Sequence, residues 1–293
     1  MRNAFMDELI KAARVRNDIV LIIGDLGYSV IEPFADEFPD RFFNAGIAEQ
    51  NMMGMAAGMA SEGMQVFTYS IGNFPTWRCA EQIRNDVDYH NLPVTNVVVG
   101  GGVTYGSLGY SHHAIQDYAL MRSLLNMTIA APADPHETRL CMQYALGKKR
   151  PVYLRLQKAG EKKYTHHNGP LSDCEVYLIH DNANSKEIFV TTGPTLSKAM
   201  DLIKTNPFKN YSVATIPLWN SKNRRNILGT LLQYTSITTI EDHLLDGGFA
   251  SWLLETLSKE SDFNKISLSA MCIGADVIGR TASQKKLHEI SGI

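Results

Sequence analysis

The sequence predicts an α/β protein with two doubly wound domains, each a mostly parallel sheet covered by helices on both faces. Short runs of β-branched and aliphatic residues alternate with helical patterns along most of the chain. A polar stretch from about residue 157 to residue 173 interrupts this alternation and is typical of a linker. The length of 293 residues fits two domains, which we expect at residues 1–160 and 174–293.

The individual elements follow from the same patterns. In the first half, strands are expected at 19–23, 65–69, 94–99, 127–130 and 152–154, and helices at 47–61, 76–87, 117–125 and 135–146. In the second half, strands are expected at 188–192, 211–216, 237–241 and 266–268, and helices at 195–204, 224–234, 249–257 and 283–290. The uncharged stretch 89–116 contains Pro93 and several glycines, so we do not expect it to cross a membrane.

Composition excludes several classes of protein. Hydrophobic residues make up 44% and charged residues 20% of the chain, which is typical of a globular protein. The net charge of −2 offers no broad attraction to nucleic acid or to an anionic membrane. The N-terminal segment carries acidic residues, unlike a signal peptide, and the four cysteines are too scattered to suggest a metal site or a disulfide framework. We therefore expect a cytoplasmic, soluble enzyme.

The segment around Glu49 is the first candidate for chemistry. A turn at Gly46 precedes a helix whose first turn carries Glu49, where the helix dipole and free N–H groups favour a carboxylate. A charge-matched helix start is the simpler interpretation. However, residues 52–60 have almost no polar face, and Gly54 and Gly58 lie one turn apart, so we expect this helix to be buried on all sides, in the core or in a subunit interface. A desolvated carboxyl at its start would hold a proton more readily.

Two glycine-rich segments are further candidates. The run at residues 100–102 follows a strand and fits either a phosphate cradle or a turn where the backbone passes close to another group. It lacks the lysine of a P-loop and does not open a helix. A second loop ends in His112 and His113. A loop histidine commonly faces solvent, but a glycine-hinged loop beside a pocket suits a catalytic one.

Three separated positions near the ends of elements are candidates for anion binding. The loop from Asp25 to Ser29 follows the first strand, Arg155 ends the last strand of the first half, and Arg2 precedes the first helix. Parallel α/β sheets bind ligands at the carboxyl ends of their strands, and arginine suits phosphate. Taken singly, each also fits an ordinary surface or salt-bridge residue.

Several segments, in a fixed order, resemble the C-terminal half of a transketolase. The segment NAGIAEQNMMGMAAGMASEG resembles the start of that family's pyrimidine-binding domain, followed in the family's order by RCAEQIRND, PVTNVVVGGGVTYGSLGYSHHAIQDYALMR and NMTIAAPADPHETR. The segments TIEDHLLDGGFASWLLETL and IGADVIGRTASQKKLHEISGI resemble its C-terminal domain. The resemblance implies a thiamine diphosphate-binding domain of the pyrimidine type at residues 1–160 and a transketolase C-terminal domain at residues 174–293.

The resemblance also implies an activity, the transfer of a two-carbon ketol unit between sugars with thiamine diphosphate. In the family, the glutamate that matches Glu49 hydrogen-bonds N1′ of the cofactor's aminopyrimidine and thereby promotes loss of the thiazolium C2 proton. An aromatic pocket holds the pyrimidine, and Ile71 stands where the family usually has Phe. Besides Glu49, the positions implied for the cofactor are Asp25, Ile47, Ile71, Phe74 and Trp77, with core packing as the alternative for the last two.

On the substrate side, the resemblance is partial. His112 matches the family's catalytic histidine, and His113 stands at the glutamine that follows it. An acidic pair that commonly precedes this histidine falls at Ser107 and Leu108, and a further family histidine falls at Gly100. The ligands implied for a substrate phosphate are Ser29 and Arg155 and, by a looser match, Arg2. These departures predict a non-standard sugar substrate, phosphorylated or not.

The sequence contains no GDG string, the motif with which the family binds the cofactor's diphosphate and metal. We therefore expect no metal site in this chain, the Mg²⁺ or Ca²⁺ ion being held mainly by a separate N-terminal transketolase subunit with the GDG and NN motifs. The expected assembly is a heterotetramer, with two chains of each kind and a dimer of this chain within it. Three alternatives stay open: the β subunit of a 2-oxoacid dehydrogenase E1, a 1-deoxyxylulose-phosphate-synthase-like enzyme, and a non-catalytic regulatory subunit.

Overall fold

Parallel strands form the centre of the first half of the chain. The computed structural model describes residues 1–158 and 160–293, and within them this half contains six strands, all parallel. They are β1 (Ile19–Ile23), β2 (Phe42–Asn44), β3 (Gln65–Ile71), β4 (Val94–Val99), β5 (Thr128–Ala130) and β6 (Val152–Leu156). Their order across the sheet is β5-β6-β4-β3-β1-β2. The short edge strand β2 was not predicted.

The second half forms a sheet of its own and also extends the first. Its strands are β7 (Tyr177–His180), β8 (Glu187–Thr191), β9 (Ser212–Thr215), β10 (Leu218–Trp219), β11 (Ser236–Leu244) and β12 (Ser267–Ile273). Five of them form the order β12-β11-β8-β9-β7, in which only β7 is antiparallel. Strand β10 instead pairs antiparallel with β5, so the first sheet takes an edge strand from the second half. The predicted α/β class is confirmed.

Helices pack against both sheets. They are α1 (Arg2–Val15), α2 (Glu32–Glu37), α3 (Glu49–Ser61), α4 (Phe74–Trp77), α5 (Ala80–Gln82), α6 (Asp117–Met121), α7 (Pro135–Gly147), α8 (Leu196–Leu202), α9 (Leu228–Leu231), α10 (Phe249–Leu257) and α11 (Gln284–Ser291). The single helix predicted at 76–87 is in fact α4 and α5 followed by a π-helical turn, Ile83–Asp88. Within the described residues, no helix is long and apolar enough to cross a membrane.

Helix α3 is buried on one face only. Its buried residues are Glu49, Met52, Met53, Ala56, Ala57 and Ala60. Gly54 and Gly58 are exposed, and a Cβ built on either would meet no heavy atom within 4 Å. Of the two environments expected for α3, the single chain excludes burial in its core, and burial in a subunit interface stays a prediction.

The predicted linker at 157–173 lacks regular structure, yet it is anchored. Asp134, the N-cap of α7, accepts hydrogen bonds from the backbone N–H groups of Tyr164 and Thr165, both at 2.7 Å. His167 Nε2 lies 2.8 Å from a carboxylate oxygen of Glu137 in the first turn of α7. The described part of this segment is therefore fastened to the first half, while Ala159 lies outside the described residues.

Aromatic side chains join the two sheets. Trp219 of β10 lies 5.1 Å from the ring of Tyr118 and 5.3 Å from that of Trp252, measured between centroids. Phe249 stacks on Trp252 at 5.7 Å. Because all four are buried, they form one continuous core with the α3 face of the first sheet. This core therefore packs the β10 side of the first sheet against α10.

Candidate active site

Glu49 lies at the carboxyl edge of the first sheet as the first residue of α3. Its side chain is 1% exposed, and Oε2 accepts a hydrogen bond from Nη1 of Arg78 at 2.5 Å. The Arg78 guanidinium also covers the Phe74 ring, 5.0 Å from its centroid. Arg78 was not among the predicted site residues. The four-residue spacing of Phe74 and Arg78, which puts both on one helical face, is the signal that could have indicated it.

Small residues leave space beside the Glu49 side chain. A Cβ built on Gly24, after β1, would lie 3.4 Å from both Cγ of Glu49 and Oγ of Ser70. The Ser70 hydroxyl is buried and has no hydrogen-bond partner among the described residues. Burial, and then the Glu49 carboxylate, raises the pKa of the nearby Cys79 thiol to about 12. Since that thiol stays protonated, Cys79 is not a nucleophile here.

The apolar residues implied for the cofactor lie in two different environments. Phe74 begins α4, and its ring meets the His112 imidazole edge-on with centroids 5.2 Å apart. Ile71 ends β3 and is half-buried. Trp77 and Ile47 are 49% and 79% exposed. Phe74 and Ile71 thus lie in the interior of the edge, whereas Trp77 and Ile47 lie on its open surface.

Of the two loop histidines, only His112 faces Phe74. Its Nδ1 lies 3.0 Å from the hydroxyl of Ser111. Burial, and then the neighbouring His113, lowers the pKa of His112, so its imidazole is neutral near pH 7 and can accept a proton. His113 is 1% exposed, and its Nε2 lies 3.4 Å from the carbonyl oxygen of Gly106. Its position does not support the expected substrate contact.

Asp25 and Ser29 lie in the loop after β1, both with positive φ angles. The Asp25 carboxylate accepts hydrogen bonds from the Asn44 side chain at 2.9 Å and from the Tyr28 hydroxyl at 3.0 Å, and these two bonds lower its pKa. The backbone N–H of Ser29 donates to a carboxylate oxygen of Glu32 at 2.8 Å.

Among the described residues, no group of three or more His, Cys, Asp or Glu side chains is placed to hold a metal ion.

Arg155, which the resemblance implies as a phosphate ligand, is buried between the two halves of the chain. It is 3% exposed, and its Nε donates to Asp117 at 2.7 Å. Its Nη2 donates to the carbonyl oxygens of Ala114 at 2.7 Å and of Asp242 at 3.0 Å. Burial opposes its charge, but the surrounding acidic groups, Asp117 first among them, together outweigh burial and raise the pKa of Arg155. The guanidinium is engaged between the two halves of the chain, a position that does not support a contact with a phosphate.

The glycine run at residues 100–102 also belongs to this junction. A Cβ would lie 2.1 Å from the Tyr105 ring at Gly100, 2.4 Å from the Arg155 guanidinium at Gly101, and 2.0 Å from the Asp242 carboxyl carbon at Gly102. Gly100 and Gly102 have φ angles of +83° and +65°. Of the two interpretations of this run, the structure supports the turn where the backbone passes close to other groups.

A cavity of about 200 Å³ opens at the same carboxyl edge. It is lined by Arg2, Leu26, Gly27, Tyr28, Tyr69, Ser70, Ile71, Val99 and Tyr105. Arg2 is the first residue of α1 rather than preceding it, and its Nε donates to the carbonyl oxygen of Lys158 at 2.5 Å. Ser70 lines the cavity and also lies near Glu49, so the cavity and the carboxylate are neighbours at this edge of the sheet.

Large apolar side chains surround this site on the outside. They follow the ends of β1 to β4 and are Tyr28, Ile47, Trp77, Leu108 and Tyr110, with 43% to 79% exposed. Because the strands are parallel, all five lie at the same edge of the sheet. An exposed apolar surface around a polar site is typical of a protein–protein interface.

These features define an α/β protein with a small-molecule site at the carboxyl edge of its first sheet, built around a buried glutamate. Residues 1–160 match the family described as "Transketolase, pyrimidine binding domain". The chain belongs to the transketolase family.

Relatives that match nearly the whole chain are more informative about the kind of transketolase than the family model is. A "Putative transketolase C-terminal section" from Methanocaldococcus jannaschii is 32% identical over the whole chain, which covers 92% of that protein. An apulose-4-phosphate transketolase subunit from Actinobacillus succinogenes is 29% identical over 99% of the chain and 94% of its own length. A solved structure titled "Split gene transketolase, inactive beta4 tetramer" has a TM-score of 0.84 and 29% identity, over 99% of this chain and 92% of that one. A 1-deoxy-D-xylulose-5-phosphate synthase from Corynebacterium diphtheriae is 31% identical over 87% of this chain but only 41% of that enzyme.

Proposed function

We propose that this chain is the C-terminal, β-type subunit of a split, thiamine diphosphate-dependent transketolase. It transfers a two-carbon ketol unit from a ketose to an aldehyde acceptor, on a sugar outside the standard set. The observation that carries the proposal is Glu49, an acid 1% exposed at the start of a helix and at the carboxyl edge of a parallel sheet. The full-length similarity to separate C-terminal transketolase chains supports it.

The residues at this edge fit the aminopyrimidine half of the cofactor. Glu49 would hydrogen-bond the ring nitrogen N1′, and Phe74 would stack on the ring, with Ile71 as an apolar wall. Bound thiamine diphosphate would supply a carbon nucleophile that can add to a ketose carbonyl. The buried, unpartnered Ser70 hydroxyl beside Glu49 is a polar group that such a ligand can satisfy.

The chain's own histidine would act on the substrate. His112 is neutral near pH 7, because burial lowers its pKa, so it can take a proton from a sugar hydroxyl and return it to a carbonyl oxygen. Its edge-on contact with Phe74, the residue proposed to stack on the cofactor ring, supports this role. Catalysis in this chain is thus assigned to Glu49 and His112.

The remainder of the site is assigned to a partner subunit. This partner would carry the GDG and NN motifs and hold the diphosphate with Mg²⁺ or Ca²⁺. Two open surfaces flank Glu49: the exposed apolar residues on the loops after β1 to β4, and the Gly54–Gly58 face of α3. The partner would cover the exposed apolar residues, and a second copy of this chain would cover the α3 face. The assembly would be a heterotetramer with two chains of each kind. Small residues on α3 let another backbone approach closely.

The alternatives differ in the donor substrate. The synthase-like alternative has less support, because this chain spans only 41% of such a relative. A 2-oxoacid dehydrogenase E1 subunit would decarboxylate a 2-oxoacid without cleaving ketoses, so a donor screen separates it from a transketolase. A non-catalytic role has little need of a buried glutamate.

Replacing Glu49 by glutamine tests the proposal. In the complex with the partner, Glu49→Gln should lower kcat by about 10²–10⁴-fold, because the carboxyl group that would bond N1′ is lost while the shape of the side chain is kept. Glu62→Gln, an exposed glutamate just after the same helix, is the matched control and should retain full activity. Full activity of Glu49→Gln in an intact complex would refute the assignment.

A further inference from the structure

Arg78 contacts the two side chains that the proposed cofactor ring would contact. Its Nη1 donates to Oε2 of Glu49 at 2.5 Å, and its guanidinium carbon lies 5.0 Å from the centroid of the Phe74 ring. In the proposed function, Glu49 bonds a ring nitrogen of the aminopyrimidine and Phe74 stacks on that ring. A guanidinium is flat and carries N–H donors, so it can make the same two kinds of contact.

The guanidinium and the ring cannot be in place together. A ring that stacks on Phe74 and bonds Glu49 has to lie between these two side chains, and the guanidinium bridges them in the same way. The Glu49 side chain is 1% and that of Arg78 46% exposed, so the guanidinium lies on the solvent side of the carboxylate. A ligand that enters from solvent therefore meets Arg78 before it reaches Glu49.

Arg78 is held loosely enough to move. Within the described residues, its guanidinium donates one hydrogen bond, the bond to Glu49. Arg155 shows the contrasting case of a structural arginine, since it is 3% exposed and donates to Asp117 and to two backbone carbonyls. Ion pairs with a partner open to solvent contribute little to stability. The Arg78 side chain can therefore turn into solvent at a small cost.

We propose that Arg78 is an autoinhibitory residue. In the free chain its guanidinium occupies the aminopyrimidine position between Glu49 and Phe74, and the cofactor ring has to displace it to bind. The proposal rests on the proposed transketolase function, whose cofactor site Arg78 regulates. Its consequence is a cofactor affinity lowered in proportion to the fraction of molecules in which Arg78 is in place.

The first experiment measures cofactor binding without requiring turnover. Thiamine diphosphate with Mg²⁺ is titrated by calorimetry into the complex with the partner. Arg78→Met removes the guanidinium and should lower Kd about 10-fold, the gain expected if Arg78 occupies the site about nine-tenths of the time. Arg14→Met, which breaks a surface ion pair with Glu37, is the control and should bind as the wild type does. An unchanged or raised Kd in Arg78→Met would overturn the proposal.

The second experiment isolates the pyrimidine. The cofactor's aminopyrimidine as a free compound, without thiazolium, diphosphate or metal, is titrated into the full chain without the partner. Arg78→Met should bind it about 10-fold more tightly than the wild-type chain. Adding Glu49→Gln should remove most of this gain, because Glu49 is the group that Arg78 releases. Equal affinities of the wild type and Arg78→Met, or a gain that persists in the double variant, contradict the proposal.

A second variant covers a loss of stability. If Arg78→Met lowers the melting temperature, Arg78→Lys replaces it in both titrations. Lysine keeps the charge but has no flat face for Phe74, so this variant should bind about 3-fold more tightly than the wild type, and equal binding counts against the proposal. A complex in which these variants gain affinity but which transfers no ketol unit would refute the proposed function and leave the role of Arg78 supported. Ketol transfer by the wild type with no gain in the variants would do the reverse.

Discussion

Replacing Arg155 by methionine should unfold the chain more easily rather than weaken a substrate contact. The guanidinium and the Asp117 carboxylate are 3% and 0% exposed and lie 2.7 Å apart. Methionine fills a similar volume but leaves Asp117 as a buried charge, with the Tyr153 hydroxyl at 2.7 Å as a remaining donor. Loss of one partner of a buried ion pair costs about 3–5 kcal/mol in the free energy of unfolding.

Thermal and denaturant unfolding of the purified chain measure this effect. A loss of that size lowers the melting temperature by roughly 10 °C in a chain of this length. Arg14→Met is the control: Arg14 pairs with Glu37 on the surface, with both side chains more than a third exposed, and its loss should not shift the melting curve measurably. Arg155→Met combined with Asp117→Leu removes both buried charges and should recover part of the loss.

A different result is expected if Arg155 binds the substrate phosphate, as the family resemblance implies. Its substitution would then leave the melting temperature within a degree or two of wild type and would raise KM for a phosphorylated sugar. That combination would refute the structural role that the buried contacts with Asp117 and the backbone give this residue.

Two further predictions concern packing and pH. Gly102→Ala should destabilise the chain by about 3 kcal/mol or more, because alanine at φ +65° is strained and its Cβ would meet the Asp242 carboxyl carbon at 2.0 Å. In contrast, the Cβ of Gly54→Ala would meet no heavy atom within 4 Å, so this substitution should stabilise the isolated chain by up to about 1 kcal/mol. Burial raises the pKa of Glu241 from 4.5 to about 8, so the folded chain keeps a proton that the unfolded chain loses between these values. The contribution of this group to the free energy of unfolding is fully present below about pH 4.5 and is lost as the pH rises to about 8. In Glu241→Gln, the free energy of unfolding should therefore depend less on pH across this range. A wild-type slope retained in that variant would assign the pH dependence to other groups.

Local sequence patterns predicted an element correctly where its structure depends mainly on its own residues. The strands at 19–23 and 94–99 and the helix at 249–257 have the predicted bounds, because each is a continuous apolar run or a strongly amphipathic stretch. The position of Glu49 at a helix start was also evident from the glycine turn before it and the apolar run after it. The fold class and the placement of the main candidate acid therefore follow from short-range sequence alone.

What could not be predicted depends on segments distant in sequence. Strand β10 has two residues, too few for a periodic pattern, and forms because β5 offers it an edge. The ligands of Arg155 come from residues 114, 117 and 242, so its role as an internal ion pair is invisible in the local sequence. Arg78 likewise acquires its role only when α4 and α5 bring it to the Glu49 carboxylate.

The glycine at position 100 shows how such distant contacts limit what a resemblance can transfer. The family's histidine at this position cannot simply be restored, because its Cβ would lie 2.1 Å from the Tyr105 ring and the backbone there has φ +83°. Tyr105 itself lines the cavity of about 200 Å³, so the residue that packs on Gly100 also shapes this cavity. Positions 100 and 105 are therefore coupled by packing. A histidine at position 100 would require Tyr105 to move or change as well, so the two substitutions should not be additive.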